Sequence, residues 1–196
     1  MIAQSAASRA VVGDYIALAK PRIISLLLLT ALAGMFLAAK GPPDASLAAL
    51  VLIGGALAAA GANALNHFLE RDIDSRMRRT QTRPVASGRV SPANALAFGV
   101  ALNVAAFIIL GALVNVLCAM LTLSATLIYT LVYTVWLKRT TPQNIVIGGA
   151  AGAIPPMVGW AAVTGGLELP ALYLFAIIFF WTPPHFWALS LLIKDD

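Results

Sequence analysis

Charge, cysteine and histidine are all scarce in this chain. Charged residues make up 11% of its 196 positions, against about 25% in ordinary soluble domains. The single cysteine, Cys118, lies inside an apolar run, so no intrachain disulfide and no cysteine-based metal site can form. The chain has only two histidines, His67 and His185. Apolar bulk takes the place of these groups: 60% of residues are hydrophobic and the mean hydropathy is +0.88. That excludes a soluble enzyme, a disordered tail and a simple nucleic-acid-binding module. About 118 apolar side chains would fill six membrane spans of about 20 residues. The formal charge of +5 therefore reports orientation in a bilayer before it reports affinity for nucleic acid, and no nucleic-acid partner is expected.

Apolar runs punctuated by proline, glycine and charge predict an all-α, polytopic bundle. The six helices fall at 22–39, 46–68, 93–113, 116–136, 144–163 and 170–192. Short links alternate with a long charged one at 70–92. With the N-terminus on one side, twelve of the thirteen Lys and Arg residues share that side and only Lys40 lies opposite. The positive-inside rule makes the crowded side the cytoplasm. The first twenty residues do not follow the order of a signal peptide, so the first span is expected to be retained. Val11, Val12, Tyr15, Ile16 and Leu18 suit either a short interfacial helix or a frayed tail. Small residues crowd the second and fifth spans, where they let helices approach closely.

The most informative segment ends the second helix. Asn66, Glu70 and Asp74 recur every four residues and share one helical face, with Asn63 on the same stripe. Two carboxylates and an amide gathered there repel one another unless a cation joins them. Hard oxygen donors suit Mg²⁺, which commonly takes one or two carboxylates together with substrate phosphates. Arg71, Arg76, Arg78, Arg79, Arg83 and Arg89 follow in the same loop. Guanidinium groups match phosphate oxygens bidentately, so a diphosphate could be held between metal and arginine. The alternatives are a solvated helix end and a basic patch facing anionic lipid.

Asn66-x3-Glu70-x3-Asp74, followed by Arg79-Thr80-x2-Arg83-Pro84-x2-Ser87-Gly88, resembles the first signature of the UbiA superfamily of intramembrane prenyltransferases. Further stretches narrow the resemblance to its heme-farnesylating branch. They are Lys20-Pro21-Arg22; Tyr133-Thr134 through Lys138-Arg139-Thr140 to Asn144 and Gly148; Gly152-Ala153-x-Pro155-Pro156; and Trp181-Thr182-Pro183-Pro184-His185-Phe186-Trp187. Two departures stand out. Glu70 occupies a position where the superfamily often has Asp, and the second acidic cluster is represented only by Lys194-Asp195-Asp196. The resemblance implies one transmembrane prenyltransferase domain over 1–196 that lacks about the last third of a nine-helix protein.

The resemblance further implies Mg-dependent transfer of a farnesyl group from farnesyl diphosphate to a vinyl group of protoheme IX, in a bacterial inner membrane with the site facing the cytoplasm. Catalysis then consists of stabilising the leaving diphosphate and positioning the acceptor. Asn66, Glu70, Asp74 and Arg71 are the expected catalytic set, the first three holding the metal. Lys20, Arg22, Asn63, His67, Arg79, Arg83, Lys138, Arg139, Asn144 and His185 are the expected substrate-binding residues. Either histidine suits a heme iron as ligand or a purely structural hydrogen bond. Trp160, Trp181, Trp187, Phe179, Phe180 and Phe186 are candidate aromatic walls, and Pro155-Pro156 and Pro183-Pro184 are expected to interrupt the fifth and sixth helices. Beyond the bilayer and the two substrates, expected partners are heme A synthase or oxidase assembly proteins. Competing readings are prenyl transfer to a quinone precursor or chlorophyllide, a transporter, and an inactive subunit.

Overall fold

A computed structural model describes residues 2–192, with side chains described from Val11 to Leu191. Arg9 and the Lys194-Asp195-Asp196 cluster lie outside that description. Among the described residues the chain is helical and strand-free. Six segments are long and apolar enough to cross a membrane: Pro21–Ala39, Ala45–Leu69, Pro92–Leu113, Val116–Thr140, Asn144–Thr164 and Leu169–Leu191.

Local chemistry sets the helix ends. Helix α1 (Ile2–Ala19) meets α2 (Pro21–Ala39) at Lys20, whose left-handed backbone (φ 56°) makes a corner that Pro21 then locks into helix. Asp44 caps α3 (Ala45–Leu69) by accepting from Leu47 N at 2.8 Å. Glu70 separates α3 from the single turn α4 (Arg71–Asp74). Ser91 caps α5 (Pro92–Leu113), and Asn115 caps α6 (Val116–Leu127) while also donating to Ala161 O at 2.9 Å. The fourth span then widens into a π-helical stretch, Ile128–Leu137, before closing with α7 (Lys138–Thr140). The fifth span is broken at Ile154 into α8 (Asn144–Ala153) and α9 (Pro155–Thr164), because Pro155 and Pro156 supply no N–H to the preceding turn.

The expected break in the sixth span is absent. Helix α10 (Leu169–Leu192) runs through Pro183 and Pro184, which leave the carbonyls of Phe179 and Phe180 without an N–H donor; one residue earlier, Thr182 Oγ1 donates to Ile178 O at 2.8 Å. Of the two readings of the N-terminal stretch, the helix is the one found: α1 lies against α3 through Leu18.

Packing depends on small residues, as it must where lipid offers no hydrophobic drive between helices. A Cβ at Gly159 would collide with the Ala31 carbonyl, and one at Gly34 with that of Pro156, so α2 and α9 cross backbone on backbone. Gly61 and Gly99 do the same for α3 and α5. The 70–92 segment is a folded cap of successive turns. Val85 and Val90 seal it onto Leu18, Ala64 and Ala95.

Candidate active site

The stripe runs from Asn63 and Asn66 on α3 through Glu70 at the junction to Asp74 at the end of α4, and its members converge across that junction. Asn66, Glu70 and Asp74 are each 2% exposed and Asn63 is 5% exposed, despite their polarity. Such burial is costly unless every group is paired, and here the pairs come from distant elements. Asn63 Nδ2 donates to Ala19 O at 2.9 Å. Lys20 Nζ donates to Asn66 Oδ1 at 3.3 Å, and Asn66 Nδ2 donates to Thr134 Oγ1 at 3.1 Å. Lys138 pairs with Glu70 Oε1, and Arg83 Nη1 lies 3.5 Å from Glu70 Oε2. Arg83 also reaches both oxygens of Asp74 at 2.8 Å. Thr80 Oγ1 donates to the backbone carbonyl of Asp74 at 3.1 Å, pinning the cap to the stripe.

Below this polar head lies a cavity of about 620 Å³. Lys20, Asn63, Asn66, Glu70, Arg79, Arg83 and Lys138 line its mouth, while its walls are small or apolar side chains of α2, α3 and α8 with Phe186 from α10. Tyr129 and Tyr133 stack nearly parallel on one wall, ring centres 5.8 Å apart. Burial, with Arg83 close by, pulls Lys20 down to about 8 from its ordinary 10.5. The chemistry is that of a site for an amphiphile with an anionic head and an apolar tail.

Not every expected residue joins the head. Arg71 turns back to donate to Phe68 O at 2.7 Å and lies over the Phe68 ring. Arg139 forms an exposed pair with Asp72 at 2.8 Å, which holds the Asp72 carboxyl below its usual range. Asn144 donates to Thr141 O at 3.0 Å, and Arg22 is exposed at the start of α2. None of these four lines the cavity. His67 is 2% exposed with no hydrogen-bond partner on either ring nitrogen, one position around the helix from the cavity face. His185 is exposed and stacks on Trp181, with ring centres 5.9 Å apart. Of the expected aromatic walls Phe186 lines the cavity, whereas Phe180, Trp181 and Trp187 are exposed and Trp160 is buried among helices.

Sequence reasoning names Thr80, Tyr133 and Thr134 within motifs but gives them no role, and it misses Tyr129. For Thr134 a signal exists: Thr122, Thr126, Thr130, Thr134 and Lys138 recur every four residues along an otherwise apolar span.

Among the described residues no three His, Cys, Asp or Glu side chains gather into a metal cage. Two carboxylates and an amide oxygen nevertheless fit Mg²⁺, which keeps several waters and takes substrate phosphate oxygens as its remaining ligands.

A membrane-embedded helical bundle with a buried acidic stripe over an apolar cavity defines the class. The chain belongs to the UbiA prenyltransferase family, whose model matches residues 27–196. Its similar relatives include the protoheme IX farnesyltransferases of Synechocystis sp. (56% identical, covering 95% of this chain and 59% of that protein) and Synechococcus elongatus (59% identical, 93% and 57%). That of Thermus thermophilus is 58% identical over 93% of this chain and 30% of its own length. The chain thus spans little more than half the length of the first two. Among solved structures, a UbiA homolog from Archaeoglobus fulgidus bound to GPP and Mg²⁺ superposes with a TM-score of 0.68 at 19% identity, covering 88% of this chain and 62% of that one. One described for digeranylgeranylglyceryl phosphate synthase reaches 0.76 at 18% identity, with 87% and 59% covered. At these identities the structural likeness concerns the fold.

Proposed function

We propose that this protein transfers a farnesyl group from farnesyl diphosphate to a vinyl group of protoheme IX, in the bacterial inner membrane with the polar head toward the cytoplasm. The observation that carries the reading is the buried stripe with its basic partners: Asn66 and Glu70 line the apolar cavity, and Asp74 stands behind them, joined to it through Arg83. Relatives at 52–59% identity bearing the farnesyltransferase name support the acceptor. The gathering of Lys20, Arg79, Arg83 and Lys138 at one end supports the orientation.

Asn66 Oδ1, Glu70 and Asp74 would hold Mg²⁺, which when bound supplies counter-charge to the departing diphosphate. Lys20, Arg79, Arg83 and Lys138 donate to its remaining oxygens, so negative charge developing on the leaving group meets fixed positive charge. The apolar walls keep water from the farnesyl C1 carbon, and the faces of Tyr129 and Tyr133 offer π density to an allylic cation. In the overall step the vinyl carbon bonds to C1 as the C1–oxygen bond breaks. Water then adds to the other vinyl carbon and loses its proton.

Incubation of the purified protein with farnesyl diphosphate, protoheme IX and Mg²⁺ tests this by product mass. A hydroxyethylfarnesyl heme that disappears with EDTA is expected. Diphosphate release with a quinone precursor or chlorophyllide, but not with heme, would reassign the acceptor.

A further inference from the structure

Both carboxylates of the stripe are already engaged by side-chain cations. Lys138 holds one oxygen of Glu70 and Arg83 approaches the other, while Arg83 spans both oxygens of Asp74. Lys20 occupies the Asn66 amide oxygen. Every oxygen suited to a metal therefore carries an ammonium or guanidinium proton instead. Among the described residues three cations face the two carboxylates of the stripe, so this set is net positive before any ligand arrives. A divalent cation entering alone would add charge of the same sign and evict hydrogen-bonded partners. A diphosphate entering alone would be attracted and would offer those partners new oxygens.

Exposure is divided to match. The Glu70 and Asp74 side chains are 2% and 4% exposed, whereas those of Arg83 and Lys138 are 23% and 34% exposed. The acids are fixed in place and the bases have room to swing, Lys138 on a flexible unbranched stem.

We propose that Lys138 and Arg83 are exchangeable stand-ins for the metal. They neutralise Glu70 and Asp74 until a diphosphate arrives, pass their hydrogen bonds to its oxygens, and so release the carboxylates to Mg²⁺. Anion and metal are thereby coupled through the protein's own cations, with the anion leading. This rests on the diphosphate and metal reading of the same site and adds to it an order of events and a reciprocal linkage.

The consequence runs against intuition, because deleting a basic residue should strengthen metal binding. The test uses the purified protein, Mn²⁺ followed by the electron paramagnetic resonance of the free ion, and metal-free inorganic pyrophosphate followed by calorimetry. Mn²⁺ favours the same oxygen ligands as Mg²⁺. Lys138→Met should bind Mn²⁺ roughly ten-fold more tightly than the parent and pyrophosphate roughly ten-fold more weakly, within the usual range of site couplings. Lys138→Arg should restore both values. Arg79→Gln removes a cation that lines the same cavity without touching a carboxylate, and should leave Mn²⁺ affinity within about two-fold of the parent. Should Lys138→Met fail to fold, Lys138→Gln gives the same comparison while keeping a hydrogen-bond donor. Unchanged or weaker Mn²⁺ binding in Lys138→Met and Lys138→Gln, or equal strengthening in Arg79→Gln, overturns the exchange while leaving the diphosphate site standing. A parent protein that binds neither Mn²⁺ nor pyrophosphate removes the underlying site as well.

Discussion

Asn66 and Thr134, 68 residues apart in sequence, share a hydrogen bond that aims the amide. Thr134 has one hydroxyl proton and gives it to Tyr129 O at 2.8 Å, five residues back along the π-helical stretch. Its oxygen is therefore left to accept from Asn66 Nδ2 at 3.1 Å. With the nitrogen so directed, Asn66 Oδ1 must face Lys20 and the cavity. The widened helical turn thus decides which end of an amide a metal would meet.

Thr134→Val removes that constraint at nearly constant volume. It should lower turnover by about ten-fold or more through misplaced ligands while costing only about 1 kcal/mol of stability. Thr134→Ser should behave like the parent. Steady-state kinetics beside thermal unfolding of the same samples checks this, and equal losses in both would mark Thr134 as a packing residue only.

Lys20 gives a pH dependence of defined sign. It holds its proton to about 8 in the folded protein and to 10.5 in the unfolded chain. Between these values the unfolded chain carries more protons, so stability rises with pH across that window. Anion binding goes the other way, because the ammonium that attracts a diphosphate is lost above about 8. Metal-free pyrophosphate affinity should fall as pH climbs from 7 to 9, and Lys20→Arg, which keeps its charge throughout, should flatten the curve.

The buried Arg83–Asp74 pair and the exposed Arg139–Asp72 pair should differ sharply in worth. Arg83→Gln leaves Asp74 buried without its guanidinium partner and should cost about 3 kcal/mol. Arg139→Gln breaks an exposed pair with Asp72 and should cost under about 1 kcal/mol, less again in high salt. Unfolding midpoints at low and high ionic strength separate them.

Much of this is legible in the sequence because each legible item follows from local pattern alone. Apolar runs mark the six spans, and four-residue spacing marks the stripe, which keeps its direction although the helix is interrupted at Glu70 between α3 and α4. The fourth span, predicted over 116–136, continues to Thr140, since Lys138 and Arg139 end the apolar run while the helix goes on through them. Grouping Arg71 with Glu70 failed for a local reason: successive helical residues diverge by about 100°. Pro183 and Pro184 predict a break because proline supplies no N–H, yet α10 continues through them. Neither Arg139 nor Asn144 could be excluded from the head without knowing that Asp72 and Thr141 O claim them. Contacts such as Asn66 with Thr134 belong to two helices at once, and a pattern along one strip of sequence cannot specify them.

Gly159 offers a direct check on the crossing. Gly159→Val pushes a branched side chain into the Ala31 carbonyl, and the backbone must separate at a cost of about 3 kcal/mol. The unfolding midpoint should fall accordingly, while Gly166→Ala, which meets open space, should change little.

That crossing also limits how the molecule can breathe. With no side chains to act as a cushion, the first and fifth spans form a fixed axle, neither sliding nor spreading. Whatever widening admits a bulky lipid-borne guest then falls to elements turning about that axle, and not to the axle itself.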